Sequence, residues 1–213
     1  MKPKLRNANI TAVGKYLPEN ILTNADLEKM VDTNDEWIRA RTGIQERRIV
    51  DKDQASVEMS INAIQQILDS RDLDPTEIDA IIVGTVTPDM LFPSCAASIQ
   101  HRIGATNAWG YDLSAACSGF IFALKSGSAL IESGQCEKVV IVGVDTMSSI
   151  LDYEDRNTCI LFGDGAGAVL LEPSEKYGVI DGLMRIDGSG GEFLKIPAGG
   201  SLHRASHETI DKK

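Results

Sequence analysis

The sequence predicts an α/β layered fold built on a mostly parallel sheet. Short apolar runs at 78–84 (Ile-Asp-Ala-Ile-Ile-Val-Gly) and 138–144 (Lys-Val-Val-Ile-Val-Gly-Val) have the composition of strands buried on both faces. Between such runs stand segments with helical spacing. The clearest is 56–69, where Val57, Ile61, Ile64 and Leu68 recur four, three and four residues apart. Buried strands alternating with amphipathic helices call for a sheet covered by helices.

In chain order, 10–14 reads as a short strand ending at a glycine and followed by a turn at Pro18-Glu19-Asn20. Asn24 is placed to cap a helix through Val31, and Thr33 or Asn34 to cap a second through Arg41. Gly43 suits the C-terminal stop of the latter. The 56–69 helix and the 78–84 strand follow, and Pro93 opens a helix through Arg102. A strand over 108–113 leads through small residues into a helix from Phe120 to near Gly134. Strands over 138–144, 166–171 and 177–186 complete the pattern. From Pro197 the chain is polar and aperiodic. Residues 1–196 are therefore expected to fold together, and 197–213 to form an exposed loop at a truncation or nick.

The chain has 213 residues with 43% apolar content, enough for a sizeable core. A net charge of −10 argues against nucleic acid as the main partner, because phosphate binding needs clustered Lys and Arg. Cys95, Cys117, Cys136 and Cys159 are scattered without a CxxC pair, which argues against a metal site. Residues 1–9 contain no secretory apolar stretch, and no run approaches the ~18 apolar residues of a membrane helix. A reduced, cytoplasmic protein is the expectation.

Cys117 is the leading candidate for chemistry. It stands in Asp112-Leu113-Ser114-Ala115-Ala116-Cys117-Ser118-Gly119-Phe120, where a strand turns through small residues into a helix. Free N–H groups and the positive end of the helix dipole favour a thiolate there, the form that attacks thioesters. A small buried apolar side chain is the competing reading. Trp37 and Arg41 are four apart and share a helix face, where indole and guanidinium could hold a base and phosphates. An interface or core tryptophan beside a surface arginine is the simpler reading of these residues alone. Residues 162–168 (Phe-Gly-Asp-Gly-Ala-Gly-Ala) precede a strand rather than open a helix, the wrong context for a dinucleotide loop. A tight glycine turn is the simpler reading. The loop 152–158 carries Arg156, and His101, His203 and His207 stand in no motif that marks a base.

Taken together, these stretches resemble β-ketoacyl-acyl-carrier-protein synthase III. The resemblance runs to about Pro197. It rests on Tyr16-Leu17-Pro18-Glu19, Thr23-Asn24-Ala25-Asp26-Leu27, Asp35-Glu36-Trp37-Ile38, Arg41-Thr42-Gly43-Ile44, Asp112 to Phe120, Asp155-Arg156, Phe162 to Ala168 and Asp187-Gly188-Ser189. It implies a thiolase-like fold, of which this chain would be the N-terminal half, and a homodimer of the complete enzyme. It implies that a short acyl-coenzyme A acylates Cys117, and that malonyl acyl carrier protein then loses carbon dioxide and attacks the thioester. Coenzyme A enters as substrate, and no cofactor is implied. Trp37 and Arg156 would flank its adenine, with Thr33 and Arg41 at its nucleotide end. Phe92, Met147, Phe162 and Leu194 would shape the acyl pocket, with Phe92 crossing the dimer interface.

The resemblance is incomplete. The family's catalytic histidine and asparagine lie in motifs of the form His-Gln-Ala-Asn and Asn-x-Gly/Ala-Asn, and neither occurs here. The chain is thus expected to supply the nucleophile but not the donors that stabilise a malonyl carbanion. It would need a C-terminal half, from the same protein or a second chain, to condense. Another condensing enzyme, such as a polyketide starter or hydroxymethylglutaryl-coenzyme A synthase, and a non-catalytic half that only assembles with a partner, are the alternatives.

Overall fold

The computed structural model describes residues 6–211. Two compact units divide the chain, Met1–Gly182 and Leu183–Lys213, whereas the composition shift points to a boundary at 196/197. The first unit carries β1 (Asn7–Tyr16), β2 (Asn20–Thr23), α1 (Asn24–Leu27), α2 (Asp35–Thr42), β3 (Glu46–Ile49), α3 (Ser56–Arg71), β4 (Ala80–Gly84), α4 (Cys95–Ile103), β5 (Trp109–Leu113), α5 (Gly119–Glu132), β6 (Val139–Thr146) and β7 (Asp164–Ser174). The second carries a 3-10 turn (Gly188–Glu192) and α6 (His207–Asp211).

The main sheet has the order β1-β7-β6-β4-β5. β4 pairs parallel with both β5 and β6, while β7 pairs antiparallel with β6 and β1. Only β7 therefore runs against the rest, and the sheet is mostly parallel in direction.

Period-two alternation sorts the strand side chains into two cores. Ile81, Val83, Val140, Val142 and Leu170 face α3 and α4, burying Ile64, Ile67 and Ile99. Ile82, Val139, Ile141 and Leu171 face α5, burying Ala123 and Ile131. Each fully buried Ile or Leu contributes roughly 1.5–3 kcal/mol, so helix cover on both faces dominates the stability of this unit.

Local details differ from the sequence expectations. Thr23, not Asn24, caps α1, in a capping box with Asp26, and the helix ends at Leu27 rather than Val31. Asn24 is buried instead and donates to Asp35 Oδ1 and the Ile44 carbonyl. Asn34 caps α2, and Gly43 ends it at φ 74°, as expected. Ser94 caps α4 by accepting from the Ala97 N–H, which leaves Pro93 outside the helix. No strand forms over 177–186. The Val179 N–H reaches the Ala8 carbonyl, but no ladder develops beside β1.

Candidate active site

The site lies where β4, β5 and β6 end, as expected for a parallel sheet. β5 stops at Leu113, a 3-10 turn spans Ala116–Ser118, and α5 starts at Gly119. Ala116 adopts φ +45°, in the left-handed region that disfavours residues with a Cβ. This reversal lets the strand enter the helix within five residues and leaves Cys117 exposed. Ser118, the N-cap residue of α5, makes no side-chain cap hydrogen bond.

Two glycines set how closely the helix approaches the sheet. Gly84 pairs with Leu113 on one side and Gly143 on the other. A Cβ on Gly84 would lie 2.7 Å from the Gly119 carbonyl carbon, inside contact distance of backbone. A Cβ on Gly143 would lie 3.1 Å from that of Phe120.

An open cavity of about 510 Å³ sits over this junction. Cys117, Phe120, Asp145 and Met147 line it, together with Gly163, Gly165 and Gly167. Gly165 and Gly167 alternate at the start of β7 and Gly163 stands just before it, so this side of the cavity is lined by residues without side chains. They are a wall, not the tight turn read from composition. The period-two spacing before an apolar strand was the available signal. Asp145 Oδ1 accepts from Thr85 Oγ1 (3.1 Å), the Val86 N–H (2.8 Å) and Thr87 Oγ1 (2.9 Å), tying the chain after β4 to β6. Asp164 accepts from the Val50 N–H, the Ser148 N–H and Ser148 Oγ, and so anchors the turn that carries Met147. Asp145 belongs to no motif that marks it, whereas Asp164 stands inside the 162–168 stretch.

The other three cysteines are buried. Burial pushes the Cys95 thiol up to about 12, with the Asp112 carboxylate adding to the rise and a hydrogen bond to the Asp89 backbone opposing it. Burial likewise raises Cys136 and Cys159. Desolvation penalises the thiolate at all three, and Cys117 is the one exposed cysteine of the four.

A second cluster stands on α2 and the loop after β6. The guanidinium carbons of Arg41 and Arg156 lie 4.8 and 4.7 Å from the centroid of the Trp37 ring. Arg156 also donates to the Asp32 carbonyl at 2.8 Å. Thr33 Oγ1 is buried without a hydrogen-bond partner. A base between Trp37 and Arg156 needs two contacts of roughly 3.5 Å, more than the present separation.

The remaining residues named from the sequence are dispersed. Phe162 precedes cavity-lining Gly163 but does not line the cavity itself. Phe92 is 83% exposed. Leu194, also exposed, belongs to the second unit. Among the described residues no group of three or more His, Cys, Asp or Glu side chains is placed to hold a metal ion, and no helix is long and apolar enough to cross a membrane.

The layered α/β sheet that carries this exposed cysteine on a strand–turn–helix elbow has a thiolase-like fold. Residues 111–188 match the family described as 3-oxoacyl-[acyl-carrier-protein (ACP)] synthase III. The β-ketoacyl-[acyl-carrier-protein] synthase III of Koribacter versatilis strain Ellin345 is 54% identical over 212 residues, 98% of this chain and 64% of that protein. The crystallised synthase III of Thermus thermophilus is 43% identical, with a TM-score of 0.83 over 86% of this chain and 57% of that one. The priming β-ketosynthase of the R1128 polyketide pathway is 38% identical, with a TM-score of 0.85 over 89% of this chain and 57% of that one. Over nearly its whole length the chain is similar in sequence to proteins of the β-ketoacyl-[acyl-carrier-protein] synthase III family. It spans about 64% of the length of the curated relatives it matches.

Proposed function

We propose that this chain supplies the acyl-accepting half of a β-ketoacyl-acyl-carrier-protein synthase III, an acyltransferase that starts fatty acid synthesis. In the first step the Cys117 thiolate attacks the thioester carbonyl of a short acyl-coenzyme A. The tetrahedral intermediate collapses, the acyl group stays on Sγ, and coenzyme A leaves as its thiol after taking up a proton. The observation that carries this reading is the contrast among cysteines: Cys117 alone is exposed, on an elbow that opens into the glycine-walled cavity.

Met147 and Phe120 on the cavity wall suit a short acyl chain. Phe162 and Phe92 complete the acyl pocket in this reading, Phe92 from the partner in a homodimer. Trp37, Arg41 and Arg156 receive the nucleotide end of coenzyme A, and the unpartnered Thr33 hydroxyl is available to it. For adenine to stack on Trp37 beneath Arg156, the guanidinium moves outward by about one contact layer of ~3.5 Å.

In the second step, malonyl acyl carrier protein loses carbon dioxide, and its carbanion attacks the acyl-cysteine to give 3-oxoacyl carrier protein. Negative charge builds on the malonyl thioester oxygen, and its stabilisation needs fixed donors. The sequence contains neither the His-Gln-Ala-Asn nor the Asn-x-Gly/Ala-Asn motif. Those donors therefore come from a C-terminal half outside this sequence, and residues 1–213 alone do not condense. The working location is the cytoplasm. A polyketide priming synthase is the second reading, favoured by the likeness to the R1128 enzyme.

Acetyl-coenzyme A followed by peptide mapping tests the first step. One acetyl group on Cys117 is the expected result. Label on Cys95, Cys136 or Cys159 would refute the assignment.

A further inference from the structure

We infer that Arg47 is a positioning residue for the Trp37–Arg41–Arg156 cluster: it fastens the loop bearing Arg156 to the elements bearing Trp37 and Arg41. The inference rests on the proposal that this cluster binds the nucleotide end of an acyl-coenzyme A.

Arg47 lies in β3 and is 4% exposed. Its Nε donates to the Ile160 carbonyl at 3.0 Å, and Nη2 donates to the same oxygen. Nη1 donates to Asn24 Oδ1. These described acceptors are uncharged, so a cation is buried without carboxylate neutralisation at its hydrogen bonds. An arginine needed only to fill space would leave a leucine or methionine less costly here. The position of its partners explains the guanidinium. Asn24 passes the connection on by donating to Asp35 Oδ1, in the first turn of α2, two residues before Trp37. Ile160 closes the loop that carries Arg156 four residues earlier. One planar fork thus joins the two sides of the cluster, a geometry the single point charge of lysine cannot copy.

Packing around the fork points the same way. Leu27, Ile38, Cys159 and Ile160 form a small separate core with Trp37 and Tyr153 packed against it. Downstream of Ile160 the chain has another anchor in Asp164, bound to Ser148 and Val50. The Met147 wall of the Cys117 cavity therefore keeps its support when Arg47 changes, and Gly163 packs against the Arg47 Cβ and the Arg48 backbone, which a lysine at position 47 retains. The Arg156 side depends on Arg47 much more strongly.

The test compares acetylation of Cys117 in the full chain by acetyl-coenzyme A and by acetyl-pantetheine, which lacks the nucleotide. Arg47→Lys should lower the coenzyme A to pantetheine rate ratio by about tenfold, the scale of a lost charge-assisted anchor, while the pantetheine rate stays near that of the unmodified chain. In an Arg156→Ala background, Arg47→Lys should leave the ratio unchanged, because both act through one guanidinium. Equal loss with both donors, or a further fall of the ratio in the Arg156→Ala background, overturns the inference. Should Arg47→Lys fail to fold, Asn24→Ser removes the relay to α2 and takes its place in the same cycle. If the unmodified chain shows no preference for coenzyme A, the nucleotide-binding reading itself fails, a result separable from failure of Arg47.

Discussion

The elbow at Cys117 and the cluster at Trp37 are held together in opposite ways. The elbow is fixed by backbone: three parallel strands end in register, and Gly84 touches Gly119 with no side chain between. The Trp37 cluster, beside a short two-stranded sheet, is fixed mainly by side chains: a small core and the Arg47 fork. Backbone contacts leave a nucleophile little freedom, which suits a reacting atom. Side-chain ties leave room for Arg156 to move aside, which suits a site that must admit a flat ligand.

The largest expected effect breaks the elbow side outright. Cys117→Ala should abolish acetyl incorporation, since the three remaining thiols are buried. Intact mass after exposure to acetyl-coenzyme A checks this, and a residual single acetyl group would mean another acceptor exists. Nearly as large is the expected absence of condensation from residues 1–213. Loss of one oxyanion donor costs about 10²–10³ in rate, and the proposed reading places two such side chains outside residues 1–213. Product assays of the chain alone and with a chain carrying the His and Asn motifs distinguish the cases. Full activity from the chain alone would contradict the two-half reading.

A smaller effect sharpens the contrast. Gly84→Ala forces a methyl group toward Gly119 backbone and should destabilise the protein by about 1–3 kcal/mol, the range of core overpacking. Thermal unfolding measures it, and an unchanged midpoint would show that α5 can shift freely. Alkylation gives a pH-dependent version. Burial raises the Cys95 thiol to about 12, so its thiolate appears only as pH climbs toward that value. At pH 9 a thiol of that pKa is ionised to about one part in a thousand. Iodoacetamide at pH 9 should therefore modify Cys117 and spare Cys95 until the protein is denatured.

The two regions also differ in how far sequence reveals them. Buried strands such as β4 and β6 are legible because their apolar runs have no other use. The Asn34 and Gly43 ends of α2 are legible because capping chemistry is local. β3 is not, since Glu46-Arg47-Arg48-Ile49 reads as surface and its one buried arginine is satisfied by residues distant in sequence. The strand expected over 177–186 fails for a complementary reason: its apolar residues have no ladder partner, and Ile180 is 98% exposed. Cys117 was legible as a candidate. Asp145 was not, and 162–168 stood out as a motif without revealing its role, because these roles depend on strands meeting across the sheet.

Separability of the two regions is tested most directly by one ratio, the rate of Cys117 acetylation by acetyl-coenzyme A over that by acetyl-pantetheine. It is measured in the unmodified chain, in Trp37→Ala and in Gly84→Ala. Trp37→Ala should lower the ratio about 5–30-fold, equivalent to about 1–2 kcal/mol for a lost base–aromatic stack. Gly84→Ala should slow both donors together and leave the ratio alone. A ratio untouched by Trp37→Ala, or one lowered by Gly84→Ala, would contradict the division between a backbone-built nucleophile and a side-chain-built nucleotide clamp.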